Sequence, residues 1–441
     1  KVMTLREDTI AAVATPLGRG GVAVVRVSGP CAFEIASTIS SKEPRVGRIV
    51  FARFSEGDKI LDEGLLLSFK APHSFTGEDV VEFQCHGGTV APQRILDAAV
   101  HAGARLARRG EFTERAFLNG KMAFEQAEAL LDFIDAKTER AADAALGELV
   151  ADESSVSGIR HTVRRFYDEA VAVSSELEYS LDVDEGDLAD SFFEELESKT
   201  LSLVKAIDAE AARLKERRIL REGALVVLLG PPNAGKSSLL NAILSEARAI
   251  VSDVAGTTRD SIEAWADICG WPVKLVDTAG IRKGGENFGE IEAEGVRRSE
   301  ELAKKADIVI AFGDFADGCG IELDPSKVIK ITPKCDLKRG DYLNVSALTH
   351  EGVEELKLEI ASRLECLAAS ADEVERGDGE RYLSSLVRAR GILSAADFKS
   401  RDAVLLGNEV RRASQILGEA VGADYSDDLL NSLFSRFCVG K

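Results

Sequence analysis

The 441-residue sequence lacks a long apolar run, paired cysteines and an excess of positive charge. Its apolar runs are strand-length and residues 1–8 lack the apolar core of a signal peptide, so we expect no membrane span and no export. The seven cysteines are odd in number, scattered and never arranged C-x-x-C. That pattern argues against a disulfide framework or a zinc site and predicts a cytoplasmic protein.

The net charge of −20 argues against a protein that binds nucleic acid non-specifically over its whole surface. A local basic groove is still compatible with this charge. One candidate is the cluster Arg105, Arg108, Arg109 and Arg115.

The most informative stretch, residues 230–237, reads GPPNAGKS and fits G-x-x-x-x-G-K-[ST], the loop that wraps nucleotide phosphates. An apolar run over residues 224–229 predicts a buried strand before the loop, and a helical pattern follows from Ser238. Lys236 is predicted to reach the β- and γ-phosphates, and the Ser237 hydroxyl to ligate Mg²⁺. The sequence therefore predicts a nucleotide-binding site.

Two further segments favour a GTPase. In residues 256–260, GTTRD, a threonine hydroxyl can complete the Mg²⁺ shell. Residues 273–280 form a strand that ends in D-x-x-G, where Asp277 can hold Mg²⁺ through water and the Gly280 N–H can meet the γ-phosphate.

Base recognition is predicted at residues 333–336, which read PKCD where [NT]-K-x-D is usual. Asp336 can accept from the guanine N1–H and N2–H, and the stem of Lys334 can cover the base. Pro333 has no side-chain amide, so an ATPase stays open as an alternative. Residues 346–348, SAL, match the last guanine-contacting loop.

The group that orients the hydrolytic water is not identified by the motifs, because Ile281 stands where a glutamine can follow D-x-x-G. The residues themselves leave Glu286, Glu290, Glu292 and Glu294 as alternatives within residues 282–295.

The first part of the chain, residues 1–120, has the pattern of a compact mixed α/β unit. Strands over 9–14 and 22–27 are joined by a glycine loop that either approaches a ligand or closes a plain hairpin. Long amphipathic helices are predicted over 122–151, 159–181 and 192–221, and helices return at 382–396, 402–417 and 427–434. We expect domains at 1–120, 121–221, 222–365 and 366–441, the third being inserted into a helical domain formed by the second and fourth.

Several segments carry a resemblance that spans nearly the whole chain: residues 8–10 (DTI), 15–21 (TPLGRGG), 74–79 (SFTGED), 110–121 (GEFTERAFLNGK), 126–129 (QAEA) and 437–441 (FCVGK). On these segments the chain resembles the bacterial tRNA modification GTPase family MnmE, also called TrmE. The resemblance implies a multidomain α/β plus all-α fold: an N-terminal α/β folate-binding domain, a central helical domain and an inserted Ras-like G domain.

For activity, the resemblance implies a K⁺-activated GTPase that homodimerises through its N-terminal domains. It implies a heterotetramer or larger complex with the FAD-dependent partner MnmG (GidA), acting on tRNA and not on a membrane. Together such proteins install a carboxymethylaminomethyl or aminomethyl group at C5 of the wobble uridine. Their one-carbon unit comes from a tetrahydrofolate, in its 5-formyl or 5,10-methylene form.

The resemblance also implies roles for individual residues. Glu292 would orient the water, and Cys438 would act near the folate. Mg²⁺ would be held by Ser237 and Thr258, and K⁺ by Asn233, Ser252, Val254 and Thr257. GTP would be bound by Asn233, Ala234, Gly235, Lys236, Ser237, Ser238, Ser252, Thr257, Thr258, Asp277, Thr278, Ala279, Gly280, Lys334, Asp336, Ser346 and Ala347. The folate would lie among Arg26, Glu82, Lys121 and Lys441.

An alternative from a different class is a regulatory switch or scaffold whose G domain moves a partner without any RNA chemistry of its own. The folate residues discriminate between the two hypotheses, because a switch needs none of them.

Overall fold

The computed structural model describes residues 8–16, 18–150, 159–181, 191–231, 233–246, 248–249, 263–277, 301–315, 323–369, 381–422 and 427–441. By internal contacts the chain divides into two compact units, Lys1–Leu131 with Asp424–Lys441, and Asp132–Ala423. Within the described ranges, no helix has both the length and the apolar character needed to cross a bilayer.

The first unit is built on a six-stranded sheet with the order β3-β4-β5-β2-β1-β6. Its strands are β1 (Ile10–Val13), β2 (Val22–Ser28), β3 (Val50–Glu56), β4 (Lys59–Phe69), β5 (Val80–His86) and β6 (Arg105–Leu106). Its helices are α1 (Ala32–Ile39), α2 (Val90–His101), α3 (Glu111–Leu118) and the start of α4 (Phe124–Asp135). Neighbouring strands are antiparallel except β1 and β6, which are parallel.

Side-chain alternation along β2 and β5 gives this sheet two different faces. Ala23, Val25 and Val27 of β2 belong to a core cluster that also contains the buried residues of α1 and α2. The residues between them point to the opposite face, because successive side chains of a strand alternate. Arg26 and its cross-strand neighbour Glu82 therefore share that second face.

The end of the chain belongs to the first unit. Helix α12 (Asp427–Arg436) places Leu433 and Phe434 in one apolar cluster with Phe124 and Leu131 of α4. A short tail follows, residues 437–441, and its Val439 forms an isolated β-bridge with Arg109.

The second unit joins a helical layer to a second sheet. The helices are α5 (Glu139–Leu149), α6 (Ile159–Leu181), α7 (Phe192–Glu222), α10 (Arg381–Ala395) and α11 (Ala403–Gly422), of which the last four share an apolar core. The single helix predicted over 122–151 is wrong in one respect, since α4 and α5 are separate. Thr138 begins α5 by accepting a hydrogen bond from the Ala141 N–H at 3.2 Å, which is a standard N-cap.

The second sheet has the order β13-β12-β11-β7-β10-β9-β8 and lies in sequence between α7 and α10. Its elements are β7 (Ala224–Leu229), α8 (Lys236–Glu246), β8 (Arg248–Ala249), β9 (Glu263–Ile268), β10 (Trp271–Asp277), β11 (Ile308–Phe312), β12 (Val328–Pro333), β13 (Leu343–Val345) and α9 (Val353–Ala369). The strands from β13 to β10 run parallel. Because carboxyl ends of parallel strands meet at one edge, the ends of β7, β10, β12 and β13 lie along the same edge of this sheet.

Candidate functional site

The phosphate loop leaves the carboxyl end of β7 and enters α8, as the motif predicts. Lys236 is buried, and its Nζ donates to the carbonyls of Gly230 at 2.7 Å and Pro231 at 2.9 Å. The Ser237 hydroxyl donates to the carboxylate of Asp277, which is fully buried at the end of β10. A hydroxyl and a carboxylate oxygen brought together at a helix N-terminus fit the oxygen ligands that Mg²⁺ prefers beside a nucleotide phosphate.

The base-recognition segments lie at the same sheet edge and line a cavity of about 390 Å³ together with Ala234 and Gly235. The Ser346 hydroxyl donates to Asp336 Oδ1 at 2.6 Å. The Lys334 Nζ donates to the carbonyl of Asn233 at 3.2 Å, which joins the base-recognition segment to the phosphate loop. Asp336 is thus held in orientation and keeps its second oxygen for paired N–H donors.

A second site is centred on Arg26 and Glu82 on the second face of the first sheet. The Arg26 Nε donates to Glu82 Oε1 at 2.8 Å, and both side chains are mostly buried, at 22% and 15% exposed. The rings of Phe75 and Phe112 lie 5.7 Å and 5.6 Å from the guanidinium carbon. A charge pair beside two aromatic rings can bind a flat ligand that carries both N–H donors and an anionic group.

The tail of the chain reaches this second site. Arg26 Nη1 donates to the carbonyl of Gly440 at 3.4 Å. Gly440 has φ +100°, and a Cβ there would lie 2.5 Å from the Val13 carbonyl oxygen, so a side chain would push the tail away. Cys438 is exposed, and its carbonyl accepts a 3.4 Å hydrogen bond from the N–H of Gly110. The tail therefore brings Cys438 and Lys441 towards Arg26.

Lys121 lies against the loop that carries Phe75. A Cβ added to Gly77 of that loop would come within 3.0 Å of the Lys121 Cγ. The Asn119 amide also donates to the Thr76 carbonyl at 2.7 Å, which fixes the loop next to the end of α3.

Most arginines of the cluster considered as a basic groove form ion pairs with nearby acidic side chains. Arg105 pairs with Asp8 at 2.8 Å and Glu111 at 2.7 Å, and Arg115 with Asp8 at 2.7 Å and Glu78 at 3.0 Å. Arg108 pairs with Glu114, and Arg109 donates to the Phe437 carbonyl. Burial raises the pKa of Glu111, but the hydrogen bonds and charge of Arg105 outweigh it and lower the pKa to about 2. Carboxylates therefore pair with three of the four arginines, which argues against a local basic groove at this cluster.

Comparison with known proteins identifies the family to which the chain belongs. Residues 9–121 match the family described as GTP-binding protein TrmE N-terminus, and residues 124–438 match the MnmE helical domain. The tRNA modification GTPase MnmE of Symbiobacterium thermophilum is 37% identical over 470 positions, covering 99% of this chain and 100% of that protein. The protein of the same name from Alkalilimnicola ehrlichii is 40% identical over 459 positions, with coverages of 99% and 100%.

The chain belongs to the MnmE family of tRNA modification GTPases. The predicted family and the predicted fold class are both confirmed. Among solved structures, the G domain of the T. maritima FeoB iron transporter is 24% identical, covers 32% of this chain and 98% of that one, and has a TM-score of 0.24.

Several residues predicted for the MnmE-family site lie outside the described residues: Ser252, Val254, Thr257, Thr258, Thr278, Ala279, Gly280 and Glu292. The predicted nucleotide residues that are described, among them Ala234, Gly235, Lys236, Ser238, Lys334, Asp336, Ser346 and Ala347, lie in the loop, cavity and helix given above.

Phe75 and Phe112 were missed by the sequence analysis as site residues, although both stand in segments that carry the family resemblance. Their pattern is that of ordinary core aromatics. Only the fold brings them, Phe75 from a loop and Phe112 from α3, to the same guanidinium.

Proposed function

We propose that this GTPase of the MnmE family is activated by K⁺ and works with an FAD-dependent partner of the MnmG (GidA) kind. In this proposal the pair modifies C5 of the wobble uridine in certain tRNAs to a carboxymethylaminomethyl or aminomethyl uridine, with a one-carbon unit from a tetrahydrofolate. The chain acts as a homodimer in the cytoplasm, within a heterotetramer or larger complex.

One observation carries the nucleotide part of the proposal. The Ser237–Asp277 pair and the Ser346–Asp336 pair lie at the same edge of one sheet, beside the phosphate loop. The first pair suits Mg²⁺ with its phosphates, and the second suits the N1–H and N2–H edge of guanine. GTP presents both features within one molecule.

In the hydrolytic step, each group has a separate task. Ser237, Thr258 and Asp277 would hold Mg²⁺ beside the phosphates of the nucleotide. The side-chain oxygen of Asn233, with Ser252, Val254 and Thr257, would hold K⁺, and the ion would supply positive charge next to the β- and γ-phosphates. Glu292 orients the attacking water.

The Arg26 site supports the folate part. Glu82 can accept from the N–H donors of a pterin, while Arg26, Lys121 and Lys441 suit the anionic and formyl oxygens of the ligand. The described contacts bring the Arg26–Glu82 pair, the Phe75 loop and the tail into one neighbourhood. Cys438, exposed in that tail, is proposed to act on the one-carbon unit.

The test is the rate of GTP hydrolysis in KCl and in NaCl. We expect a faster rate in KCl only, and a sharp fall in Asn233→Ala and Glu292→Ala with nucleotide binding retained, because Lys236, Ser237 and the backbone of the loop are unchanged. Equal rates in the two salts would disprove the K⁺ mechanism. A fully active Glu292→Ala would assign the water to a neighbouring acid.

A further inference from the structure

The wall of the nucleotide cavity differs from the usual base-recognition motif at one position. Pro333 ends β12 and lines the cavity three residues before Asp336. The [NT]-K-x-D pattern places an amide or a hydroxyl there, and each can donate a hydrogen bond. Proline has neither a side-chain donor nor a backbone N–H.

Pro333 also occupies a regular position in the sheet and does not distort the strand. It is the last residue of its strand and pairs in register with Val345 of β13. The ladder continues past it through the Cys335 N–H, which donates to the Val345 carbonyl at 3.3 Å. Proline is accepted at a strand end, where its missing donor costs little.

Within the described residues, the polar side chains that line this cavity are Ser238, Lys334, Asp336 and Ser346. The Lys334 ammonium is directed to the Asn233 carbonyl, and the Ser346 hydroxyl to Asp336. Ser238 lies on α8, on the side of the phosphate loop. The neighbours of Pro333 along the wall, Ile331 and Val345, are apolar.

We propose that this site recognises guanine through its Watson–Crick edge and, within the described part of the chain, offers no side-chain donor to N7 of the base. The inference rests on the proposed GTP site and deepens it. The accepted ligands are guanine nucleotides including those altered at position 7 of the base, while Asp336 still excludes adenine, which offers no N1–H and no N2–H. Guanine selectivity in this chain depends on one carboxylate and on the Ser346 hydroxyl that orients it.

The test compares GDP with 7-deaza-GDP, in which N7 is replaced by C–H, by titration calorimetry on the full chain. Diphosphates avoid hydrolysis during the measurement. We expect the two affinities to agree within about twofold, because no donor loses its acceptor. A donor aimed at N7 would be left unpaired by the analogue, and binding would weaken by more than about fivefold. That second result would overturn the proposal.

Restoring the donor gives the matched control. In Pro333→Asn the analogue should bind about three- to tenfold more weakly than GDP, and equal affinities in a variant that binds GDP would also overturn the proposal. Pro333→Thr supplies a smaller donor if the asparagine variant does not fold. Failure of the wild-type chain to bind GDP at all would instead refute the proposed function, so the two failures are distinguishable.

Discussion

Arg26 and Glu82 stand directly opposite each other on adjacent antiparallel strands, and the Arg26 Nε donates to the Glu82 carboxylate at 2.8 Å. The same guanidinium reaches the Gly440 carbonyl at 3.4 Å, although the two residues are 414 positions apart in the chain. One arginine thus links the two central strands of the first sheet to the tail that carries Cys438 and Lys441.

From this relationship we predict that Arg26→Ala weakens binding of 5-formyltetrahydrofolate by tenfold or more. The variant removes a charge-assisted donor to the ligand and also releases the tail from the site. Titration calorimetry on the full chain measures the affinity. Arg53→Ala, which removes an exposed arginine from β3 of the same sheet, should bind like the wild type. Unchanged affinity in Arg26→Ala would remove this residue from the folate site.

The buried ion-pair network around Glu111 predicts a specific dependence on acid. Its pKa is lowered from 4.5 to about 2, so the stabilisation is complete above about pH 4.5 and is lost as the pH falls towards 2. Glu111 is only 1% exposed, and a shift of this size corresponds to roughly 3 kcal/mol. Above pH 4.5 we expect Glu111→Gln to have a lower free energy of unfolding than the wild type. Between pH 4.5 and 2 the variant should lose less of that free energy than the wild type does.

Hydrogen exchange of the amides in β1, β2 and β5 measures this effect in the first unit, independently of the second. The control is Glu34→Gln, which alters an exposed glutamate on α1 and should follow the wild-type pH profile. Parallel pH profiles for wild type and Glu111→Gln would show that this carboxylate does not couple protonation to folding.

The strand, loop and helix around the phosphate loop were predicted well, because they depend on short local spacing. Residues 224–229 form the predicted strand, Lys236 donates within the loop to the Gly230 carbonyl, and Ser237 contacts Asp277. A phosphate loop needs its glycines, lysine and serine at fixed positions relative to one another, and this spacing can be read directly from the sequence.

Long-range features could not be predicted in the same way. Arg105 and Arg115 are basic in sequence, yet Asp8, Glu78 and Glu111 neutralise them from positions up to 107 residues away. The break between α4 and α5 depends on the Thr138 cap within a pattern that is otherwise continuously helical. The acidic partners of the arginines are brought near by the tertiary structure, and the helix break depends on one capping hydrogen bond. Neither feature changes the hydrophobic periodicity of the sequence, so neither could be predicted from it.

The proposed role in modifying the wobble uridine is tested most directly by nucleoside analysis of tRNA from cells that lack this chain. We expect the C5 modification of the wobble uridine to be absent from these cells and to be restored by the wild-type chain. Lys236→Ala should not restore it, because the phosphate loop loses its charged donor. Lys205→Ala, an exposed lysine of α7, is the matched control and should restore the modification fully. Fully modified wobble uridine in cells without the chain, or full restoration by Lys236→Ala, would refute the proposed function.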